Sequence, residues 1–221
     1  MMDEVKFKST LNMYNKAASI TQYSETARTG LSEFYINWLK ERALSVKNIP
    51  VRFLDLGCAD GFVGSILRNF SVEGEFTGID FSENMLAQCT QNGFYYKLFQ
   101  RDLNFGINLE ENAGFDYICA TGFMEYIENP VKLLNEIHTY LLPGGELWIS
   151  FEKKNKVSIE NITSKLTNEV IQSFLWTHNE VESFIQESGF ILRSIVENTA
   201  YTLKSVNYNV PFFFVVATVP E

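Results

Sequence analysis

Apolar residues along this chain follow two rhythms, which alternate from residue 51 onward. Short continuous apolar runs, typical of strands buried in a sheet, occupy residues 51–56, 75–80, 94–99, 115–120 and 146–151. Apolar residues spaced three to four apart, typical of helices with one buried face, occupy residues 31–45, 62–70, 82–91, 130–142 and 181–188. The alternation of strand and helix predicts an α/β fold built on a largely parallel sheet.

Two further apolar runs close the chain, at residues 190–197 and 210–219. Only a loop rich in Asn and Tyr separates them, and strands without a helix between them pair in antiparallel fashion. We therefore predict a sheet of seven strands that is mostly parallel, with an antiparallel last strand.

Composition narrows the classes of function. The chain has 221 residues, which suits one domain, and a formal net charge of −9. Residues 51–221 carry 11 Lys and Arg against 22 Asp and Glu, and such an acidic body discourages binding to nucleic acid or to an anionic membrane. The 3 cysteines form no closely spaced pair, and no apolar run reaches about 18 residues. We expect a reduced, cytoplasmic protein with no metal site and no membrane span.

The most informative segment is a glycine-rich turn after the first predicted strand, residues 53–64, FLDLGCADGFVG. Small residues at Gly57, Ala59 and Gly61 let a ligand approach the backbone closely. In a doubly wound sheet such a ligand lies beyond the carboxyl ends of the strands. The spacing departs from the G-x-G-x-x-G pattern of dinucleotide sites, and Asp55 would repel a pyrophosphate, so an NAD-dependent oxidoreductase is the less favoured interpretation.

Two further acids follow the next two strands. Asp80 ends the second strand, where its carboxylate can accept hydrogen bonds from both hydroxyls of a ribose. Phe81 and Met85 come just after it and can pack against a purine ring. Asp102 follows the third strand and can accept the exocyclic amine of adenine. Together with the glycine-rich turn, these residues predict a site for a ligand that contains adenosine.

The motifs together resemble those of the class I S-adenosylmethionine-dependent methyltransferases of the small-molecule type. The resemblance covers residues 50–152 and rests on DLGCADG, GIDFSENML, RDL, FDYICATGFMEYIENP, and LLPGG before ELWISF. Ala59 stands where the family more often has glycine. The resemblance implies a Rossmann-like doubly wound α/β fold, S-adenosyl-L-methionine as cofactor, and methyl transfer to N or O of a small-molecule acceptor.

The resemblance also assigns cofactor contacts residue by residue. Asp55 and the backbone of the turn are implied to hold the methionine part, Asp80 the ribose and Asp102 the adenine edge. The full set of implied cofactor-binding residues is Asp55, Gly57, Cys58, Ala59, Asp80, Phe81, Met85, Asp102, Leu103, Thr121, Gly122, Tyr14 and Tyr23.

Regions outside the match are implied to cover the site. Residues 1–50 would form an N-terminal helical lid segment, and residues 51–221 the methyltransferase domain. Within that domain, residues 153–176 interrupt the strand–helix alternation and would line the substrate pocket.

The segment 153–176 carries a compact set of basic and aromatic residues. Lys153, Lys154 and Lys156 form a basic cluster that is either a solvated loop or a wall facing an anionic acceptor. Phe174 and Trp176 would give the pocket an aromatic floor.

Methyl transfer from a sulfonium does not demand a catalytic dyad. It is an in-line displacement with a good leaving group, so alignment supplies much of the rate. A general base is needed only where the acceptor must lose a proton. The catalytic residue is therefore unknown from the sequence, and the candidates are Glu125 and Tyr126 after the fourth strand and Tyr14 in the lid segment.

Other acceptors and other classes of protein stay open. A protein or RNA acceptor is an alternative, although the chain has no basic stripe, and ATGFMEY after the fourth strand lacks an Asn-Pro-Pro-Tyr-type tetrapeptide. A non-catalytic cofactor-binding module is a further alternative. The sequence leaves the acceptor and the oligomeric state undetermined.

Overall fold

The computed structural model describes residues 4–19, 30–110, 112–154, 161–163, 168, 170–203 and 207–221. Its helices are α1 (Glu4–Ser19), α2 (Glu33–Ser45), α3 (Phe62–Asn69), α4 (Glu83–Asn92), α5 (Pro130–Tyr140) and α6 (His178–Glu187). Its strands are β1 (Val51–Leu56), β2 (Gly74–Asp80), β3 (Lys97–Gln100), β4 (Phe115–Ala120), β5 (Leu141–Glu152), β6 (Asn161–Thr163), β7 (Val170–Gln172), β8 (Ile191–Leu203) and β9 (Tyr208–Thr218). A 3₁₀ turn, Met124–Tyr126, follows β4.

Seven of these strands form one sheet in the order β3-β2-β1-β4-β5-β9-β8. The strands from β3 to β5 pair in parallel, and β9 runs antiparallel to both β5 and β8. This topology confirms the predicted Rossmann-like α/β sheet with its antiparallel last strand. The strand order reverses between β1 and β4, so a ligand crevice is expected at the carboxyl ends of these two strands.

Apolar layers cover both faces of the sheet. Successive residues of a strand point to opposite faces, so Ile118 and Ile149 join the layer under α5 and α6, while Cys119 and Trp148 join the layer under α2 and α3. The second layer is rich in aromatic rings, and the ring centroids of Trp148 and Phe53 lie 5.4 Å apart. Burial on both faces therefore uses part of the chain's large complement of Phe and Tyr.

Three strand boundaries differ from the sequence prediction by three residues or more, and one of them is the end of β8, which lies at Leu203 rather than at residue 197. β3 starts at Lys97 rather than residue 94, because Tyr95 turns its hydroxyl into the sheet's ligand edge. β5 starts at Leu141, which pairs with Phe115, so the helix predicted over 130–142 ends at Tyr140.

The capping chemistry of the helices agrees with the sequence. Ser82 caps α4 by accepting the backbone N–H of Met85. Thr177 and Glu180 form the reciprocal capping box of α6. Within residues 153–176, β6 and β7 pair antiparallel as a small separate hairpin, which the sequence pattern did not predict.

Candidate functional site

The end of β1 holds a buried acid whose position depends on a tyrosine. Asp55 is 1% exposed, and the Tyr95 hydroxyl donates to its Oδ2 over 2.6 Å. That hydroxyl also accepts the backbone N–H of Gly64 at 3.0 Å. Burial raises the pKa of Asp55 to about 7, and the hydrogen bond from Tyr95 partly opposes this effect.

The turn after β1 needs glycine at its centre because an aromatic ring lies against it. A Cβ on Gly57 would come within 2.6 Å of the Phe123 ring, and Gly57 has a φ of +70°. Ala59 also has a positive φ, +45°. A glycine at position 59, which is more common in the family that the motifs resemble, would relieve the strain caused by the Ala59 methyl group.

The acid at the end of β2 is held by the backbone on both of its oxygens. Asp80 Oδ2 accepts the N–H of Ala59 at 3.0 Å, and Oδ1 accepts the N–H of Ser82 at 2.8 Å. Burial raises the pKa of Asp80 to about 6 despite these donors. A carboxylate oxygen can accept more than one hydrogen bond, so Asp80 is oriented and can still accept ribose hydroxyls.

The acid after β3 leaves one oxygen for a ligand. Asp102 Oδ1 accepts the backbone and side-chain N–H groups of Asn104. Its Oδ2 is buried and accepts no hydrogen bond from the described residues. Such an atom is costly unless a donor is supplied, and the exocyclic amine of adenine is a donor of the right kind. The residues present therefore fit an adenosine-containing cofactor.

Helix α1 packs over the segment that follows β2. The Ser82 hydroxyl donates to Asn15 Oδ1 at 2.6 Å, and the Asn84 side chain donates to the Asn15 carbonyl at 3.0 Å. The Tyr14 ring meets the Phe81 ring edge-on at 5.6 Å. This side of the crevice is therefore covered by the N-terminal helix.

Tyr14 also bridges to the turn after β4. Its hydroxyl donates to the Tyr126 hydroxyl at 3.1 Å, and the two rings lie 5.8 Å apart. The contact between Tyr14 and Tyr126 therefore joins the N-terminal helix to the turn that carries Glu125.

Helix α2 reaches the end of β4 from the other side. The buried Tyr35 hydroxyl donates to Thr121 Oγ1 at 2.8 Å, and burial raises the pKa of this tyrosine. Next along the chain, the Gly122 N–H donates to Ser150 Oγ at 3.1 Å. A Cβ on Gly122 would meet no atom within 4 Å, so open space lies beside this residue.

One glutamate, Glu125, follows β4, and another, Glu152, is the last residue of β5. Glu125 is 4% exposed, and its Oε2 accepts no hydrogen bond from the described residues. Burial, followed by the charge of Glu152, raises the pKa of Glu125 to about 8. Burial alone raises the pKa of Glu152 to about 7.

The remaining predicted residues have less direct access to a ligand. The Cys58 side chain turns into the core toward Cys89, which leaves its backbone for the turn, and hydrogen bonding to Cys89 together with burial raises the pKa of the Cys58 thiol. Met85 and Leu103 are buried beside the crevice. Tyr23 lies outside the described residues.

Four site residues were not singled out from the sequence: Tyr35, Tyr95, Phe123 and Glu152. Glu152 had a recognisable pattern, because Asp55 and Asp80 are also acids at the carboxyl end of a buried strand. Tyr95 had none, since its role depends on a contact with a residue 40 positions away.

The described part of the chain has neither a metal-binding cluster nor a membrane-spanning helix. No group of three or more His, Cys, Asp or Glu side chains is placed to hold a metal ion. No described helix has the length and apolar composition needed to cross a membrane.

Comparison with known families matches residues 48–199 to the model of a methyltransferase domain. That match covers more than half of the chain. The chain belongs to the methyltransferase-domain family. The membership confirms the family predicted from the motifs, with S-adenosylmethionine as the family's cofactor.

Curated relatives of this methyltransferase include two O-methyltransferases. A ubiquinone biosynthesis O-methyltransferase of Pseudomonas aeruginosa is 29% identical over 126 residues, covering 54% of this chain and 51% of the relative. A malonyl-[acyl-carrier protein] O-methyltransferase of Bacillus cereus is 27% identical over 164 residues, covering 67% and 59%. The chain thus spans about half the length of the curated relatives it matches.

Among solved structures, the [4+2]-cyclase SpnF superposes with a TM-score of 0.71 at 14% identity, covering 96% of this chain and 95% of that one. At this identity the likeness concerns the fold alone. A protein named for a cyclisation shares this fold, so activity has to be argued from the site.

Proposed function

We propose that this methyltransferase transfers a methyl group from S-adenosylmethionine to N or O of a small-molecule acceptor. The observation that carries the proposal is that Oδ2 of Asp102 is buried and has no partner among the described residues. Two acids that the chain already orients, Asp55 and Asp80, lie at the same edge of the sheet. A ligand that offers an amine, a vicinal diol and a cationic end in this order matches all three acids.

Each acid would act on a different part of the cofactor. Asp102 would accept the adenine amine, Asp80 the ribose hydroxyls, and Asp55 with the backbone of the turn would hold the methionine end. Thr121 and Gly122 lie next to that end, after β4. When bound, the cofactor supplies a methyl group activated by a positively charged sulfur.

The chain's own contribution is alignment and exclusion of water. Tyr14 and Tyr126, joined by their hydroxyls, would cover the crevice between the cofactor and the acceptor. Good alignment of two reactants can contribute roughly 7–11 kcal/mol to a barrier. Residues 1–50 would therefore act as a lid, and residues 153–176 would border the acceptor.

The acceptor is proposed to be small because of the composition and the relatives. The acidic body discourages a nucleic acid. One curated relative is named for ubiquinone biosynthesis, which concerns a small molecule. The other is named for a malonyl group on a carrier protein, so a carrier-borne acceptor is a variant of the same proposal.

Labelled cofactor tests the proposal in two stages. Equilibrium dialysis with methyl-tritiated S-adenosylmethionine should show binding, and incubation with a metabolite extract should move the label into low-mass compounds. No binding at millimolar concentration would reject the cofactor site. Label found only in macromolecules would reject a small acceptor, and binding without any transfer would indicate a non-catalytic module.

A further inference from the structure

The space beyond β4 and β5 contains polar groups that the cofactor residues leave unused. We infer that Glu125 and Glu152 form the acceptor subsite beside Trp176, and that the acceptor is an amine that enters as an ammonium ion. The inference rests on the proposed function, since it names the acceptor of that same transfer.

The backbone brings these three residues together over long sequence distances. The N–H of Phe174 donates to the Glu125 carbonyl at 2.7 Å, and the N–H of Trp176 donates to the Glu152 carbonyl at 3.0 Å. β4 and β5 are neighbours in the sheet. The segment carrying Phe174 and Trp176 therefore lies across the ends of both strands, next to both glutamates.

One buried polar atom of the two glutamates lacks a partner. Oε2 of Glu125 makes no hydrogen bond with a described residue. A buried carboxyl oxygen without a partner costs stability, and a ligand that supplies a hydrogen-bond donor removes this cost.

The charges near the pair favour a cation. Burial raises the proton affinity of both glutamates, the charge of Glu152 raises that of Glu125 further, and no described cation offsets these effects. An ammonium ion between them would supply the missing positive charge. The stacked rings of Phe174 and Trp176, 6.1 Å apart, add faces that attract cations.

The nearby lysines point elsewhere, which argues against an anionic acceptor. Lys153 pairs with Glu197 on β8 and lies over the Phe213 ring. The charge of Lys154 acts on Glu180 at the start of α6. Lys156 lies outside the described residues. The acceptor side of the crevice is thus acidic within the described part of the chain.

The pair also supplies the proton acceptor that an amine requires. The ammonium R–NH₃⁺ gives one proton to the ionised carboxylate of the pair and becomes R–NH₂. The nitrogen lone pair then forms the N–CH₃ bond while the S–CH₃ bond breaks and its electron pair stays on sulfur. The products are R–NH₂–CH₃⁺ and a neutral thioether, and the pair releases one proton to solvent.

Binding of matched probes tests the charge preference without turnover. The full chain is saturated with S-adenosylhomocysteine and titrated by calorimetry with 2-phenylethylamine, 2-phenylethanol and phenylacetate, and with butylamine, butanol and butyrate. In at least one set we expect the amine to bind about tenfold more tightly than the alcohol, and the carboxylate most weakly. An alcohol or carboxylate that binds as tightly as its amine, or no amine binding at millimolar concentration, would overturn the inference.

Variants in which single glutamates become glutamine show which residues cause the preference for amines. Glu125→Gln and Glu152→Gln should each remove the amine preference, about tenfold, while Glu128→Gln, an exposed glutamate in the same loop, should keep it. Glu125→Gln resembles the protonated acid and should fold; Glu152→Gln, which is less buried, provides a second test. An unchanged preference in both variants would contradict the assignment.

Cofactor binding, measured in the same samples, separates two kinds of failure. If the wild-type chain does not bind S-adenosylmethionine, the proposed function fails. If it binds the cofactor and shows no preference for amines, only the acceptor inference fails.

Discussion

The two halves of the crevice differ in how the chain holds their acids. In the cofactor half, other residues donate to Asp55 at the end of β1, to Asp80 at the end of β2 and to Asp102 after β3, and Oδ2 of Asp102 is left for a ligand. In the acceptor half, the Glu125 carboxyl is hydrogen-bonded by its own backbone, and its buried Oε2 has no donor among the described residues. A held carboxylate is oriented before its ligand arrives, whereas an unpartnered one depends on the ligand for its stabilisation.

This difference has a physical origin in the distance along the chain between partners. Asp80 is held by Ser82, two residues away, and by Ala59 in the neighbouring turn. Asp102 is likewise held by Asn104, two residues away, whereas the Tyr95 hydroxyl that holds Asp55 comes from 40 positions away. Glu125 faces a segment about 50 residues later, whose Phe174 N–H donates to the Glu125 carbonyl. Local turns therefore hold two of the three cofactor acids, and the acceptor half depends on a long-range crossing.

The largest expected effect is a loss of cofactor affinity when Asp80, an oriented acid of the cofactor half, is replaced. Asp80→Asn places an amide NH₂ against a backbone N–H and loses charge-assisted bonds to the ribose, so affinity for S-adenosylmethionine should fall about 100-fold. Calorimetric titration measures the change. Asp116→Asn, which alters an acid that accepts the Arg52 N–H far from the crevice, should bind as the wild type does. Unchanged affinity in Asp80→Asn would contradict the ribose assignment.

The next effect is a dependence of stability on pH set by the acceptor half. Glu125 has its pKa raised from 4.5 to about 8, and Glu152 from 4.5 to about 7, so the folded chain holds protons that the unfolded chain has lost. The free energy of unfolding should therefore fall by several kcal/mol as pH rises from about 5 to about 8, since a pKa difference of 1 corresponds to about 1.4 kcal/mol. The raised acids Asp55 and Asp80 act in the same direction. Urea unfolding at several pH values measures the slope.

Glu125→Gln isolates the contribution of one acid to this slope. In this variant the free energy of unfolding should fall less steeply as pH rises, and in Glu128→Gln it should fall as it does in the wild type. The titratable groups that interact with Glu125 are Glu152 on β5 and the neutral Tyr35 on α2, and neither is altered in these variants. A slope that Glu125→Gln leaves intact would mean that this glutamate titrates as an exposed one does.

A smaller effect concerns the N-terminal helix that covers the cofactor half. Removing residues 1–25 deletes the contacts of Tyr14 with Phe81 and of Asn15 with Ser82. Affinity for S-adenosylmethionine should fall about tenfold, because a covering segment protects the bound ligand from water. The unfolding temperature should change little, since the sheet core is untouched. Equal cofactor affinity in the truncated chain would contradict the role as a lid.

The smallest effect tests strain within the turn itself. Ala59→Gly should stabilise the chain by about 1 kcal/mol, because Ala59 holds a φ of +45° that glycine adopts freely. Ala87→Gly, on the exposed face of α4, should destabilise by a similar amount, because there glycine only loosens a helix. Thermal unfolding of the two variants should therefore shift in opposite directions, and shifts of the same sign would remove the strain argument.

Much of the cofactor half could be predicted from the sequence because its determinants are local. β1 and β4 lie where the apolar runs place them, and Asp80 ends β2. The start of β3 was misplaced because the aromatic run at residues 94–96 is apolar, yet the hydroxyl of Tyr95 is needed at Asp55. Glu152 lies at the carboxyl end of its strand, as Asp55 and Asp80 do, but the residues that surround it could not be inferred.

The amino-acid sequence by itself determined the strand and helix order, the family, and the acids that end the first strands, because hydrophobic periodicity and turn chemistry act over a few residues. The tertiary structure alone decided that Tyr95 holds Asp55, that Phe174 lies beside Glu125 and that Trp176 lies beside Glu152. Such contacts depend on the pairing of strands far apart in the chain, where the packing of the whole sheet selects the partners.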